Sequence, residues 1–155
     1  MMVVKTPIFV DTNILIQMHV ATAPKHRDVQ QAIKRLTRGN SELWISRQVI
    51  REYAAVLTRH QPYTSPLSPG DVSNQIRLFE AQYRVADENT NVTKALCKLM
   101  DNTALGGKQI HDANIVATMQ VYAIGQLLTL NVADFKRFSD VITLVILEDL
   151  LKDPL

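Results

Sequence analysis

Short continuous apolar runs alternate along this chain with stretches in which apolar residues return every three or four positions. The continuous runs are 7–10 ("PIFV"), 43–46 ("LWIS"), 126–130 ("QLLTL") and 141–147 ("VITLVIL"). Strands buried on both faces of a parallel sheet read this way. The periodic stretches predict helices over Asn13–Val20, Asp28–Arg38, 47–60, 68–83, Asn91–Met100 and Asp112–Ile124. Within them Val29, Ile33 and Leu36 share one face, as do Val49, Tyr53 and Val56, and Ile115, Val116, Met119 and Ala123, each set at the helical period.

Local signals punctuate these elements. Gly39 is a natural helix stop. Ser46 is placed to cap the helix that follows it. Ser68 caps the next one, with Pro69 at the first helical position and Asp71 closing a variant capping box. Residues 60–70, "HQPYTSPLSPG", hold three prolines and a glycine and form the one clear loop. "LGGKQIHD" is a turn. Strands separated by helices predict a single α/β domain over 1–155 with a mainly parallel central sheet.

Carboxylates stand out against this pattern. Asp11 breaks the apolar segment "IFVDTNIL" at the end of the first strand, where open parallel sheets bind ligands. It is either a helix cap or a ligand. Glu52 borders the Val49–Tyr53–Val56 stripe and is either a solvated flank residue paired with Arg51 or Arg59, or part of a site. Asp112 precedes Ile115 and Val116 by one helical turn and aims along the apolar stripe; a plain N-terminal cap explains its place but not its aim. Thr129, Asn131 and Asp134 lie near the carboxyl end of the third strand in "TLNVADF", an ordinary polar turn if it stood alone. All four places converge at one end of the sheet. Several carboxylates in one cleft repel each other unless protons or a cation neutralise them. An all-oxygen donor set suits Mg²⁺ or Mn²⁺ rather than zinc.

Composition narrows the classes. Hydrophobic residues make up 46% and charged residues 21% of the chain, and the net charge is only +2, which argues against a general DNA coater. Cys97 is the only cysteine, so an internal disulfide and a cysteine zinc site are excluded. It falls on an apolar helix face and is expected in the core, as is Trp44. The opening "MMVVKTPIFV" lacks the apolar core and cleavage site of a secretion signal. No apolar run reaches the ~18 residues of a membrane span. The expectation is a cytoplasmic protein with no membrane partner.

Four segments together resemble the PIN domain, and within it the VapC-like toxins of toxin–antitoxin pairs: "IFVDTNIL", "ISRQVIREYAAVL", "GGKQIHDANIVATM" and "LLTLNVADFKRF". They stand in the family's order and span nearly the whole chain. The resemblance implies a three-layer α/β/α sandwich and a ribonuclease dependent on Mg²⁺ or Mn²⁺. The family's first three acids map onto Asp11, Glu52 and Asp112, with Thr12 and Asn13 in support. Some members carry Asp where this chain has Asn131; here Asp134 is the nearest carboxylate, and Asn131 offers an amide oxygen. An RNA substrate, a homodimer and an antitoxin that places a basic side chain among the carboxylates are also implied. Arg47, Arg51, Lys108 and His111 lie close in sequence to Glu52 or Asp112 and are candidates for phosphate contacts.

Other readings remain. One is a non-catalytic PIN-like domain that binds RNA or scaffolds a partner, suggested by Asn131. Another is a stand-alone nuclease of RNA processing. A phosphatase or phosphotransferase of another α/β class fits poorly, because no acid follows Asp11 at a two-residue spacing and no "GxxxxGK[ST]" loop is present.

Overall fold

The continuous apolar runs form strands, and every pairing between them is parallel. A computed structural model describes residues 4–152. Residues 1–3 and 153–155, the two ends of the expected 1–155 domain, lie outside the described residues. The order is β1 (Thr6–Val10), α1 (Thr12–His19), α2 (His26–Arg38), β2 (Ser41–Ser46), α3 (Arg47–Leu57), α4 (Pro69–Gln82), β3 (Arg84–Ala86), α5 (Thr90–Asn102), α6 (Gln109–Val121), β4 (Gln126–Leu128), α7 (Val132–Phe135), β5 (Thr143–Val145) and α8 (Leu147–Leu150), with a 3₁₀ turn at Lys136–Phe138.

The sheet has the order β3-β2-β1-β4-β5. The chain moves outward from β1 through β2 to β3, then returns to the other side of β1. Right-handed crossovers therefore put α1–α4 on one face and α5–α6 on the other. Phe9, Val10, Ile45, Leu127 and Leu128 are buried in the sheet between them. The direction of travel reverses between β1 and β4, the usual ligand crevice of such sheets.

Several expectations change. β3 was not anticipated; three residues are too short to show a period, and it exists through its pairing with β2, Trp44 to Arg84 and Ser46 to Ala86. The strand expected over 141–147 shrinks to Thr143–Val145, and the last apolar residues enter α8. The helix expected from Asp112 begins at Gln109, so Asp112 lies inside its first turn and is not its cap. Ala123 is exposed, with φ +55°, beyond the end of α6. There the Ile124 amide donates to the Met119 carbonyl and the Ala123 amide to the Gln120 carbonyl, a Schellman closure that takes Ala123 off the apolar face. Gly39 does end α2, but Asn40 carries the left-handed backbone, at φ +73°. Cys97 is exposed rather than in the core. Trp44 is half-buried, against the Tyr122 ring and under the Arg84 guanidinium. No helix among the described residues is long and apolar enough to cross a membrane.

The caps that position the site are present. Ser46 Oγ accepts from the Val49 amide and holds the start of α3. Ser68 Oγ accepts from the Asp71 amide, with Pro69 in the first turn of α4. Ser46 is fully buried, so Ser46→Ala is expected to lower stability by about 1–2 kcal/mol, measured by chemical denaturation; an unchanged midpoint would show that the cap adds nothing.

Candidate active site

Strand register builds the first half of the site. Val10 pairs with Leu128, so the next residues, Asp11 and Thr129, sit side by side beyond the strand ends. The Asp11 amide continues the ladder by donating to the Leu128 carbonyl. Thr129 Oγ1 then donates to Asp11 Oδ2 at 2.8 Å. Asp11 Oδ1 accepts from the Thr12 amide at 2.8 Å and caps α1. Asn13 braces the same corner: its Nδ2 donates to Asp11 Oδ2 at 3.3 Å, and its Oδ1 accepts from the Leu130 amide at 3.0 Å. The two readings of Asp11 thus coexist, because one carboxylate caps a helix and faces a cleft.

Glu52 comes from α3, one strand over. It pairs with neither Arg51 nor Arg59. Its Oε2 accepts from Thr12 Oγ1 at 2.8 Å and its Oε1 from Gln48 Nε2 at 2.7 Å. Asp112 enters from the first turn of α6 on the other face. Asp11, Glu52, Asp112 and Asn131 line one open cleft of about 670 Å³.

Burial and mutual repulsion dominate the electrostatics of the carboxylates. Asp11 is 5% exposed. Burial pushes its carboxyl up to about 6, and Glu52 and Asp112 add to the shift, against the hydrogen bonds from Thr129 and Thr12. Asp112 also rises to about 6, through burial first, then Asp134 and Glu52, with Arg137 and His111 opposing. Asp134 is exposed on α7. It does not line the cleft with the other three, yet it lies close enough to raise Asp112.

The basic candidates divide. Arg51, Lys108 and His111 line the cleft, and Arg59 joins them. Arg47 points elsewhere, into ion pairs with Glu80 and Asp87, and is not free for a phosphate. Thr129 stood out at the end of the third strand without an assigned role, and Gln48 and Arg59 were missed as site residues. The signal for Gln48 was its helical spacing of one turn from Glu52. The role of Thr129 could be found only through the strand register.

A hard divalent cation fits this donor set. Two carboxyls held well above their usual range are what a bound cation would relieve, and every candidate donor is an oxygen. Among the described residues no three His, Cys, Asp or Glu side chains gather around a single ion position. The carboxylates share a cleft without forming a closed cage.

The PIN domain family matches this chain over residues 8–141, from β1 to just before β5. The chain belongs to the PIN domain family. This is a family of nucleases. Comparison with curated protein sequences finds no significant match. Three solved structures share the fold. VapBC-1 of nontypeable Haemophilus influenzae is 19% identical, with a TM-score of 0.65 over 92% of this chain and 99% of that one. VapBC2 of Rickettsia felis, bound to a DNA fragment from its promoter, is 17% identical, with a TM-score of 0.63 over 91% and 98%. VapC20 of Mycobacterium tuberculosis, a toxin that cleaves the sarcin–ricin loop, is 15% identical, with a TM-score of 0.63 over 88% and 96%.

Proposed function

We propose that this PIN domain is a metal-dependent endoribonuclease, the toxin of a toxin–antitoxin pair, working in the cytoplasm. The observation that carries the reading is the convergence of Asp11, Glu52 and Asp112 on one cleft, with Asp11 buried and no cation among the described residues paired to it. The fold it shares with VapBC complexes and with an RNA-cleaving toxin supports the biological half of the proposal.

Asp11, Glu52 and Asp112, with Asn131, would hold one or two Mg²⁺ or Mn²⁺ ions. Such an ion supplies a water of lowered pKa and positive charge facing the phosphate. The chain does the rest. Asp11 is fixed by Thr12, Asn13 and Thr129, and Glu52 by Thr12 and Gln48, so the donors lose little freedom on binding. Asp134 adds negative potential beside Asp112. Arg51, Lys108, His111 and Arg59 stand on the rim, where they would draw a polyanion to an acidic cleft, with affinity that falls as salt rises. Water attacks phosphorus, the 3′ oxygen leaves, and the products carry 5′-phosphate and 3′-hydroxyl ends. A homodimer, and an antitoxin that covers the cleft with a basic side chain, complete the proposal.

The test is RNA cleavage with Mg²⁺ or Mn²⁺ and with chelator, in the parent and in Asp112→Asn. Cleavage should need the ion and fall by about 100-fold or more in the variant. Full activity in chelator, or in Asp112→Asn, would sink the reading. The open arrangement of the carboxylates and the amide at Asn131 favour one rival, a PIN domain that binds RNA without cutting it. That rival requires that calorimetry show no Mn²⁺ binding at low millimolar concentration.

A further inference from the structure

Glu52 is the start of a continuous run of side-chain hydrogen bonds that leads out of the cleft. Gln48 Nε2 donates to Glu52 Oε1 at 2.7 Å and also to the His111 carbonyl at 2.9 Å. Gln48 Oε1 accepts from Asn114 Nδ2 at 2.8 Å. The same Nδ2 donates to Glu88 Oε1 at 2.7 Å. Glu88 Oε2 then accepts from Arg51 at 3.0 Å. Three segments are tied together this way: α3 by Gln48 and Glu52, α6 by His111 and Asn114, and the turn after β3 by Glu88.

The run has one orientation. A primary amide nitrogen has two hydrogens. Gln48 spends one on Glu52 and one on His111; Asn114 spends one on Gln48 and one on Glu88. Flipping the Gln48 amide would press its oxygen against a carboxylate oxygen and a carbonyl oxygen and would cost Asn114 one of its two acceptors. Gln48 is 5% exposed and lies next to Val49 and Ile50, both buried. An apolar residue would pack there without needing partners. A buried amide that loses its partners costs about 1–3 kcal/mol, so the glutamine is an expensive choice unless its bonds serve the site.

We propose that the Gln48–Asn114 amide pair is a positioning device: it bolts α3 to α6, sets the separation of Glu52 and Asp112 across the cleft, and through Glu88 stations Arg51 at the rim. Its two residues are positioning residues for a divalent cation and a phosphodiester, and the proposal rests on the metal-dependent nuclease reading above. Asp112 is one residue beyond His111, whose carbonyl Gln48 holds, so a shift of α6 against α3 moves one cleft carboxylate relative to another. Partners that orient ligating side chains typically matter by about 10–100-fold in metal affinity or activity.

The experiment compares the parent with Gln48→Met, which keeps the length and apolar stem but has no donor. Mn²⁺ binding is followed by calorimetry, RNA cleavage by kcat and KM, and folding by thermal melting. The expected result is Mn²⁺ affinity weakened by about tenfold or more, with kcat reduced and KM for RNA little changed. Glu88→Gln keeps one oxygen for Asn114 and turns an amide nitrogen toward Arg51, so it should raise KM and weaken Mn²⁺ binding less than Gln48→Met does. A merely structural glutamine would lower the melting temperature and leave Mn²⁺ affinity and kcat at parental values; that result overturns the proposal. If Gln48→Met fails to fold, Asn114→Ala decides, since Asn114 is only half-buried: a smaller loss of Mn²⁺ affinity supports the device, and parental affinity overturns it. A parent that binds Mn²⁺ and cuts RNA while Gln48→Met does both equally well removes this inference alone. A parent that does neither removes the nuclease reading and this inference with it.

Discussion

Asp11→Asn should sharply reduce RNA cleavage and yet melt at a higher temperature than the parent when no divalent ion is present. The two effects share a cause. Asp11 is buried with no cation paired to it among the described residues, and burial, Glu52 and Asp112 raise its carboxyl from 3.8 to about 6. At pH 7 it is ionised in the folded and unfolded chain alike, so the folded state bears the cost of the charge. A shift of roughly two units corresponds to about 3 kcal/mol at 1.36 kcal/mol per unit, an upper bound for what the neutral amide can recover. Asparagine caps a helix as well as aspartate, so the bond from the Thr12 amide survives. Part of the gain is lost where Thr129 and Asn13 donate to Oδ2, because the variant presents an amide nitrogen to one of them. A net rise of several degrees is expected, since about 1 kcal/mol moves the melting temperature of a domain this size by roughly 2–4 °C. Cleavage should fall by about 100-fold or more. Thermal melting in chelator at pH 7 and a cleavage assay with Mn²⁺ read both. A lower melting temperature in the variant would make Asp11 a structural cap and not a strained ligand.

That pairing of roles was only half visible in the sequence. "IFVDTNIL" set a cap against a ligand because local pattern cannot separate them: both place an acid between a strand and a helix. The strand register separates them, by bringing Thr129 beside Asp11 across 118 positions of sequence. The same limit governs Glu52. Its neighbours in sequence suggested Arg51 or Arg59, yet its partners are Gln48, one helical turn away, and Thr12, 40 positions away. Helix faces and caps, as at Ser46 and Ser68, were legible because they depend on residues within four positions. β3 was not, because its three residues are strand only through a partner. Ala123 looked like a core position by period and left the core because α6 closes two residues earlier. Asp134 was a candidate for the fourth donor by its nearness to Asn131; it is exposed on α7, outside the lining of the cleft, and raises Asp112 ahead of Glu52.

The metal-free protein should lose stability from the cleft as pH rises through the range where its acids ionise, and Mn²⁺ should restore it. Asp11 and Asp112 both have folded values near 6, above the unfolded 3.8. For a carboxyl raised on folding, the favourable contribution is complete below the unfolded value and is lost as pH climbs through the folded one. The window is therefore about pH 4 to 6. Other acids mask the trend in the parent alone, so the informative quantity is the difference from Asp11→Asn/Asp112→Asn. Near pH 4 the two should melt at similar temperatures; by pH 7 the double variant should be the more stable in chelator. Added Mn²⁺ should raise the melting temperature of the parent at pH 7 and leave that of the double variant unchanged, since an ion at a hundred times its Kd contributes about 2.7 kcal/mol to the chain that binds it. At pH 5 the same ion should do much less, because it must displace protons from both carboxyls. A Mn²⁺ stabilisation equal at pH 5 and pH 7, or equal in parent and double variant, would place the ion somewhere other than between Asp11 and Asp112.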